Sequence, residues 1–256
     1  MAGRVEGKRA LVTGGAQGLG EAIARRLAEE GARVGLSDLK AEQAQAVADD
    51  INARHGAGTA FAYAHDVADE AQWAEVVRRA AADLGGLSVL VNNAGVGTRE
   101  DITDMPLERW RWVMGVNVDG VFLGCKHAIP VMKDHAPGSI INMASIAGVI
   151  AQAESPAYNA SKAAVTHLTK SVGLFCAKKG YGIRCNSVHP AFTDTPILDP
   201  MRAMHHDVDA KLARAIPLQR LGRPQEIAEG VLWLASDESS FMTAAELRLD
   251  GGISAA

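Results

Sequence analysis

Short apolar runs alternate with longer stretches of helical period along most of this 256-residue chain. Parallel strands need connections of a dozen or more residues, usually helices, so this alternation is typical of a parallel sheet. The predicted strands cover residues 9–12, 33–36, 59–64, 88–91, 139–143, 183–188 and 246–249. The main predicted helices cover residues 21–30, 107–132, 156–178 and 227–234. The sequence therefore predicts an α/β fold, a doubly wound parallel sheet of about seven strands flanked by helices, in one domain over residues 1–256.

The composition argues against several classes of function. The net charge is −4 at pH 7 and the cationic residues are scattered, so no basic stripe is available for a nucleic acid. No apolar run reaches the roughly 20 residues that a membrane span needs, and residues 1–8 carry no apolar signal core. Cys125, Cys176 and Cys185 lack the spacing of a disulfide framework or a metal site. We expect a cytoplasmic protein with reduced thiols and a small-molecule substrate.

A glycine-rich turn, Thr13-Gly-Gly-Ala-Gln-Gly-Leu-Gly20, joins the first predicted strand to the first predicted helix. Gly14, Gly18 and Gly20 would let the backbone turn tightly, approach a pyrophosphate and pack the helix against the strand. The helix N-terminus would then face a phosphate group. An ordinary strand-to-helix turn is the alternative interpretation.

Asp38 follows the second predicted strand, twenty residues after Gly18. A carboxylate at this place accepts hydrogen bonds from both ribose hydroxyls of NAD and repels the 2′-phosphate of NADP. NAD is therefore the predicted cofactor, although Lys40 is near enough to weaken the preference. The alternative is a surface aspartate at the end of a strand.

Tyr158 and Lys162 lie four residues apart in a predicted helix, so both side chains project from one face. An ammonium about 4 Å from a phenol, at an effective dielectric near 20, would lower the phenol pKa from about 10 to about 7. Ser145 would hold a substrate oxygen while Tyr158 removes its proton and hydride leaves for the nicotinamide. An exposed amphipathic pair is the alternative for the tyrosine and the lysine.

Several motifs stand together in one order and spacing. They are residues 13–20, Asp66, Asn92-Asn93-Ala94-Gly95, Asn117, Ser145, and Tyr158 with Lys162. In this arrangement the chain resembles the short-chain dehydrogenases/reductases of the compact one-domain type over nearly its whole length. The resemblance implies a Rossmann-like fold.

The resemblance also implies roles for individual residues. Asn117, Ser145, Tyr158 and Lys162 would be catalytic, with Asn117 anchoring a water in a proton relay through Lys162 to Tyr158. The implied cofactor-binding residues are Gly14, Gln17, Gly18, Leu19, Gly20, Asp38, Leu39, Asp66, Val67, Asn93, Ala94, Gly95, Tyr158, Lys162, Pro190, Thr193 and Thr195.

Residues 190–217 break the regular pattern with prolines, methionines and aspartates, which is typical of a lid over an active site. Two alanines, Ala191 and Ala244, stand where the family commonly has glycine, so the local backbone is expected to differ there. Runs near 139–145 and 186–190 look like those of bacterial dehydrogenases of hydroxysteroids and cyclic secondary alcohols. The implied substrate-contacting residues are Ser145, Gln152, Tyr158 and Phe192.

Two other functions stay open from the sequence. One is an NADPH-dependent carbonyl or 3-oxoacyl reductase on the same fold, against which Asp38 argues. The other is a non-catalytic nucleotide-sensing protein, against which the complete set of catalytic residues argues.

The family further implies a homotetramer, with the helices from Leu107 and from Pro156 pairing across subunits. His205, His206 and Asp207 could be taken for metal ligands. Adjacent histidines point to different sides of a helix or strand, and no further ligand has a fitting spacing. We therefore expect no metal.

Overall fold

Seven strands form a single parallel sheet. A computed structural model describes residues 3–204 and 206–256. The strands are β1 (Arg9–Thr13), β2 (Arg33–Asp38), β3 (Ala60–Ala64), β4 (Val89–Asn92), β5 (Gly138–Met143), β6 (Ile183–Pro190) and β7 (Glu246–Leu249). Their order across the sheet is β3-β2-β1-β4-β5-β6-β7, and each neighbouring pair is parallel. The predicted α/β fold with a doubly wound sheet of about seven strands is thereby confirmed.

Helices cover both faces of the sheet. They are α1 (Gly18–Glu29), α2 (Ala41–His55), α3 (Glu70–Leu84), α4 (Leu107–Met114), α5 (Gly120–Met132), α6 (Pro156–Lys179), α7 (Asp199–Met204), α8 (Val208–Ala215) and α9 (Pro224–Ala235). Successive side chains of a strand point to opposite faces, so Val12 packs with α1, α2 and α9, and Leu11 packs with α3, α5 and α6. The three cysteines are free and buried in this second layer.

The order of the strands reverses at β1, which pairs with β2 on one side and with β4 on the other. The chain therefore leaves β1 and β4 in opposite directions across the sheet. Such a reversal opens a crevice at the carboxyl ends of the strands, and ligands of open α/β sheets bind in that crevice. Thr13 and Asn92 end the two strands that border it.

Two helices differ from the sequence prediction. Helix α1 begins at Gly18 rather than at residue 21, and its first turn packs so closely against the glycine turn that only glycine fits at position 20. The long helix predicted over residues 107–132 contains a π-helical segment, Gly115–Asp119, between α4 and α5. There the backbone N–H of Gly120 donates to the carbonyl of Gly115, five residues earlier.

The lid segment is more regular than predicted. Strand β6 continues through Pro190, and α7 and α8 lie within the segment. Arg202 on α7 joins the two helices and the loop before them, since it forms ion pairs with Asp194, Asp199 and Asp209. One guanidinium thus forms ion pairs with three carboxylates. The sequence shows these residues only as an irregular run of charged side chains and does not indicate that they pair.

Two further features concern the described residues only. Within residues 3–204 and 206–256, no helix has both the length and the apolar character needed to cross a membrane. Within the same ranges, no group of three or more His, Cys, Asp or Glu side chains is arranged to hold a metal ion. His205, which the sequence analysis considered as a ligand, lies outside the described residues.

Candidate active site

The glycine turn is anchored to the loop after β4 by Thr13 and Asn93. The Thr13 hydroxyl accepts hydrogen bonds from the backbone N–H groups of Asn93 and Ala94, both at 3.0 Å. The Asn93 side-chain amide donates to the carbonyl oxygens of Thr13, at 2.8 Å, and Gly14, at 3.2 Å. Two of the predicted cofactor residues, Asn93 and Ala94, are therefore held directly against the turn.

The turn has the shape of a cradle for a phosphate. Gly14 and Gly18 have φ of +66° and +59°, in the left-handed region that favours glycine. A Cβ on Gly20 would lie 2.0 Å from the carbonyl oxygen of Gly14, so no side chain fits there. Helix α1 has no side-chain hydrogen bond at its N-cap, Gln17. No side chain thus caps the amides of its first turn, a geometry that binds a pyrophosphate.

Asp38 is held by backbone donors at the end of β2. One carboxylate oxygen accepts from the N–H of Ala16 at 3.0 Å, and the other accepts from the N–H of Lys40 at 2.9 Å. The Lys40 ammonium donates instead to the side-chain oxygen of Gln17, at 3.0 Å. These bonds orient the carboxylate beside the glycine turn, where a ribose would lie, and the surroundings therefore fit a dinucleotide.

The remaining predicted nucleotide contacts follow β2 and β3 at the same edge of the sheet as the glycine turn. Asp66 follows β3, and its carboxylate accepts from the N–H of Ala68 at 2.9 Å. Val67 is buried, whereas Leu39 is 73% exposed beside Asp38. Leu39 is thus an apolar side chain open to a ligand, as a wall of an adenine pocket requires.

The lid reaches the glycine turn through Thr195. A Cβ on Gly18 would lie 3.6 Å from the Cβ of Thr195, so the two residues are close. The Thr195 hydroxyl donates to the carbonyl of Thr193 at 3.3 Å, and Pro190 ends β6 just before this loop. The structure therefore brings Thr195 to the glycine turn, with Thr193 and Pro190 preceding it in the same segment, while Leu19 packs its side chain against the core.

Asn117 lies in the π-helical segment and is fully buried. Its amide nitrogen donates to the carbonyl of Val96 at 2.9 Å and to the hydroxyl of Ser161 at 3.0 Å. Its oxygen accepts from the N–H of Val96 at 2.8 Å. A Cβ on Gly95 would lie 3.3 Å from this oxygen and 3.4 Å from Lys162 Nζ, so the three residues meet at one point.

Lys162 is buried, and its ammonium donates to the carbonyl oxygen of Met143 at 2.8 Å. Burial disfavours the charged form and lowers the pKa of Lys162 to about 8. The nitrogen lies 5.7 Å from the centre of the Tyr158 ring. The lysine and the tyrosine are thus neighbours on one face of α6, as their spacing predicts.

The predicted effect of Lys162 on Tyr158 is wrong for the protein alone. Burial raises the pKa of Tyr158 above its ordinary value, and only a hydrogen bond with Ser145 acts in the lowering direction. The ammonium is hydrogen-bonded to the carbonyl of Met143, and loss of water around the phenol determines the direction in which the pKa of Tyr158 shifts. In the protein by itself, Tyr158 is a neutral phenol.

Ser145 lies in the first turn after β5 and is buried. Its hydroxyl oxygen accepts from the N–H of Ala147 at 3.1 Å, which leaves the hydroxyl proton for another acceptor. The carbonyl oxygen of Ser145 accepts from the N–H of Gly148 at 3.0 Å. The Ser145 hydroxyl also acts to lower the pKa of Tyr158, so the two hydroxyl groups lie near each other.

The predicted substrate residues are less close together. Gln152 is exposed on the loop that follows Ser145, and its backbone carbonyl accepts from the Asn159 side chain at 2.7 Å. Phe192 lines a separate cavity of about 310 Å³ with Ile216 and Leu218. Among the described residues, the lining of that cavity does not include Ser145 or Tyr158.

Three groups at the site were not predicted from the sequence. The sequence pattern assigns Thr13 only to the glycine turn, although a hydroxyl at the end of a buried strand is a signal for such an anchor. The carbonyl of Met143 has no side-chain signal at all. His189, buried near the end of β6, contacts the backbone of Ser145. Its position before Pro190 could have drawn attention to it.

Replacing the buried ammonium should stabilise the protein. At pH 7, Lys162 is charged in both the folded and the unfolded chain, and burial penalises only the folded one. We expect Lys162→Met to raise the free energy of unfolding at pH 7 by up to about 3 kcal/mol, since the pKa falls from 10.5 to about 8. Urea unfolding measures the change.

The pH dependence checks the cause. Between pH 8 and 10.5 the folded wild type loses a proton that the unfolded chain still holds, so wild-type stability rises and the advantage of Lys162→Met shrinks. Lys178→Met, an exposed position on the same helix, is the matched control and should show no such window. A variant less stable than wild type at pH 7 would contradict the expectation.

The chain is similar to characterised enzymes over its full length. Residues 14–254 match the model of the family described as "Enoyl-(Acyl carrier protein) reductase". The chain is 39% identical to an NADP-dependent (R)-specific alcohol dehydrogenase of Lentilactobacillus kefiri, over 100% of both chains. It is 40% identical to a 3-beta-hydroxysteroid dehydrogenase of Comamonas testosteroni, over 99% of this chain and 98% of the relative. It is 42% identical to a cis-4-hydroxycyclohexanecarboxylate dehydrogenase of Sinomonas cyclohexanicum, over 96% of each.

The fold is also similar to that of a solved dehydrogenase/reductase structure. A crystal structure of a short-chain type dehydrogenase/reductase from Mycobacterium marinum superposes with a TM-score of 0.90 at 37% identity. The superposition covers 97% of this chain and 96% of that one. On its sequence, its fold and the order of its motifs, the chain belongs to the short-chain dehydrogenase/reductase family.

Proposed function

We propose that this protein transfers a hydride between NAD(H) and a secondary alcohol or the corresponding ketone. The observation that carries the proposal is the meeting of Ser145, Tyr158 and Lys162 at the carboxyl end of β5. The Lys162 ammonium lies beside the Tyr158 ring, and the neighbouring Ser145 hydroxyl acts to lower the pKa of Tyr158. A serine donor, a phenol and a buried cation are the groups that deprotonation of an alcohol requires.

Ser145 orients the substrate and Tyr158 transfers the proton in the proposed reaction. Ser145 donates its hydroxyl proton to the substrate oxygen, and Tyr158 exchanges the proton of the alcohol. When bound, the oxidised nicotinamide accepts the hydride and adds a positive charge near the phenol, which favours the phenolate. Lys162 and Asn117 continue the path away from Tyr158. The Asn117 oxygen and Lys162 Nζ both lie close to Gly95, and a relay water that joins them is part of this proposal.

NAD is the proposed cofactor because of Asp38. Two backbone donors orient its carboxylate, and a 2′-phosphate placed beside it would meet a negative charge. Lys40 is the nearby cation, and its ammonium is bonded to Gln17. The relative from Lentilactobacillus kefiri is named as NADP-dependent, so the proposal of NAD rests on Asp38 and not on the similar proteins.

An apolar cyclic alcohol is the proposed substrate class. Val149 and Ile150, after Ser145, and Ile197 and Met204, in the lid, present exposed apolar side chains to a ligand. Relatives named for a hydroxysteroid and for hydroxycyclohexanecarboxylate support the same class. Gln152 would contact a distal polar group. A contact with Phe192 would require a substrate long enough to reach the separate cavity that this residue lines.

Turnover by the wild type and by Tyr158→Phe tests the reaction. With NAD and a panel of a cyclohexanol, a steroid alcohol and a sugar, we expect reduced nicotinamide to form fastest with the cyclic alcohols. Tyr158→Phe should lower kcat by about 10²- to 10⁴-fold, because the acid and base group is removed. Tyr181→Phe, the same substitution outside the site, should keep wild-type rates.

Other outcomes of this assay would change the proposal. Faster turnover of the sugar would remove the apolar substrate class. Equal rates for wild type and Tyr158→Phe would remove the mechanism. NAD binding without turnover of any alcohol or ketone would favour the non-catalytic sensing function.

The double variant Asp38→Ala/Leu39→Arg tests the cofactor. It removes the repelling carboxylate and places a cation at an exposed position, so the preference for NAD over NADP should shift toward NADP by about 10- to 100-fold in kcat/KM. Leu39→Arg with Asp38 retained is the control and should shift less. A wild type that already prefers NADP would contradict the proposed role of Asp38 and favour the NADPH-dependent reductase.

A homotetramer is the proposed assembly. Large apolar side chains are exposed on α4, α5 and α6, the helices expected to pair across subunits. They are Leu107, Trp112, Phe122, Leu174 and Phe175. Burying this surface against a second copy would remove it from water. Light scattering should return about four times the 26.9 kDa mass of one chain; the mass of a single chain would contradict the assembly.

A further inference from the structure

A buried histidine on β6 contacts the turn that carries Ser145. His189 is fully buried, and its ring nitrogen Nδ1 lies 3.1 Å from the carbonyl oxygen of Ser145. Its other ring nitrogen, Nε2, lies 2.8 Å from the Ser187 hydroxyl. Neither His189 nor Ser187 has a part in the reaction proposed above.

The partners determine which nitrogen carries the proton. A carbonyl oxygen only accepts, so His189 Nδ1 must be protonated and donate to Ser145. The lone pair of Nε2 then accepts the hydroxyl proton of Ser187. Both ring nitrogens are satisfied by one neutral tautomer. Burial lowers the pKa of His189, which keeps the ring neutral near pH 7.

The bond from His189 completes a set that immobilises the Ser145 turn. The Ser145 carbonyl accepts a second hydrogen bond from the N–H of Gly148, and its hydroxyl oxygen accepts from the N–H of Ala147. The two backbone donors belong to the turn itself, so they move with it. Within the part of the chain that the structure describes, His189 alone ties the carbonyl of this residue to a strand of the sheet.

We propose that His189 is a positioning residue that orients the Ser145 hydroxyl toward the substrate oxygen. The inference rests on the proposed function, because orientation of Ser145 affects turnover only if Ser145 holds the substrate. A catalytic hydroxyl displaced by even 1 Å loses much of its effect on the transition state. The rigid sheet, rather than the loop, would therefore determine where the serine acts.

Two substitutions separate hydrogen bonding from packing. His189→Leu removes both ring nitrogens and leaves an apolar side chain of similar size. His189→Asn keeps an amide donor near the position of Nδ1. We expect the leucine variant to lower kcat by about 10- to 100-fold with a much smaller change in KM, since the loss falls on the transition state. The asparagine variant should recover most of kcat. His55→Leu, at an exposed position, should behave as wild type.

Hydrogen exchange supplies a readout that does not depend on activity. The amides of Ala147 and Gly148 donate within the turn, so their exchange should be at least several-fold faster in His189→Leu than in wild type or His189→Asn. If no alcohol is turned over by the wild type, the proposed function fails, whereas exchange still reports whether His189 holds the turn.

The outcomes are decisive in both directions. Slow turnover and fast exchange in His189→Leu, both restored in His189→Asn, support the role. Wild-type kcat in the leucine variant overturns it, as does an equal loss in both variants. If His189→Leu does not fold, His189→Gln replaces it, because its amide reaches the position of Nε2 rather than Nδ1 and should fail where asparagine succeeds.

Discussion

The site depends on a hydrogen-bonded joint between the carboxyl ends of β1 and β4. Thr13 accepts two backbone N–H groups from the β4 loop, and Asn93 returns two bonds to the glycine turn. A buried polar group left without a partner costs about 1–3 kcal/mol, so these bonds stay together. The crevice opens where the strand order reverses, and the joint spans it. The walls of the crevice are therefore in place before a ligand binds, which reduces the free energy that ordering the site would cost on binding.

A second buried network of hydrogen bonds lies beneath Ser145, Tyr158 and Lys162, the proposed catalytic residues. Asn92 donates to Asn142 at 2.8 Å, and Asn142 donates to Thr169 at 2.9 Å, which joins β4, β5 and α6 beneath the catalytic groups. Above this network, the Lys162 ammonium donates a hydrogen bond to the carbonyl of Met143 at the end of β5. Burial lowers the pKa of Lys162 to about 8. A core built only for stability would not bury an ammonium there. The chain gives up stability for a cation placed beside a phenol.

Much of the fold and of the site was predictable, for physical reasons. The inner strands are largely buried on both faces, which favours short apolar runs, and the alternation of such runs with helical stretches predicted all seven strands, although the edge strands β3 and β7 are only partly buried. The spacing of Tyr158 and Lys162 predicted that they are neighbours on α6, but spacing carries no information on backbone acceptors. The carbonyl of Met143, which engages the lysine, therefore left no trace in the pattern. The lid helices were missed because Arg202 and its aspartates resemble ordinary solvated charge.

The sequence by itself determined the alternation of strands and helices, the glycine turn, the acidic residue at the end of β2 and the side chains proposed to be catalytic. These features are local, since each is a residue type at a fixed separation along the chain. Only the tertiary structure decided which partners those side chains have. It raised the pKa of Tyr158, directed Lys162 to a carbonyl, and brought His189 from β6 to Ser145 after β5. Burial and hydrogen bonding between distant segments set those outcomes, and neither is encoded in the separation of residues along one helix.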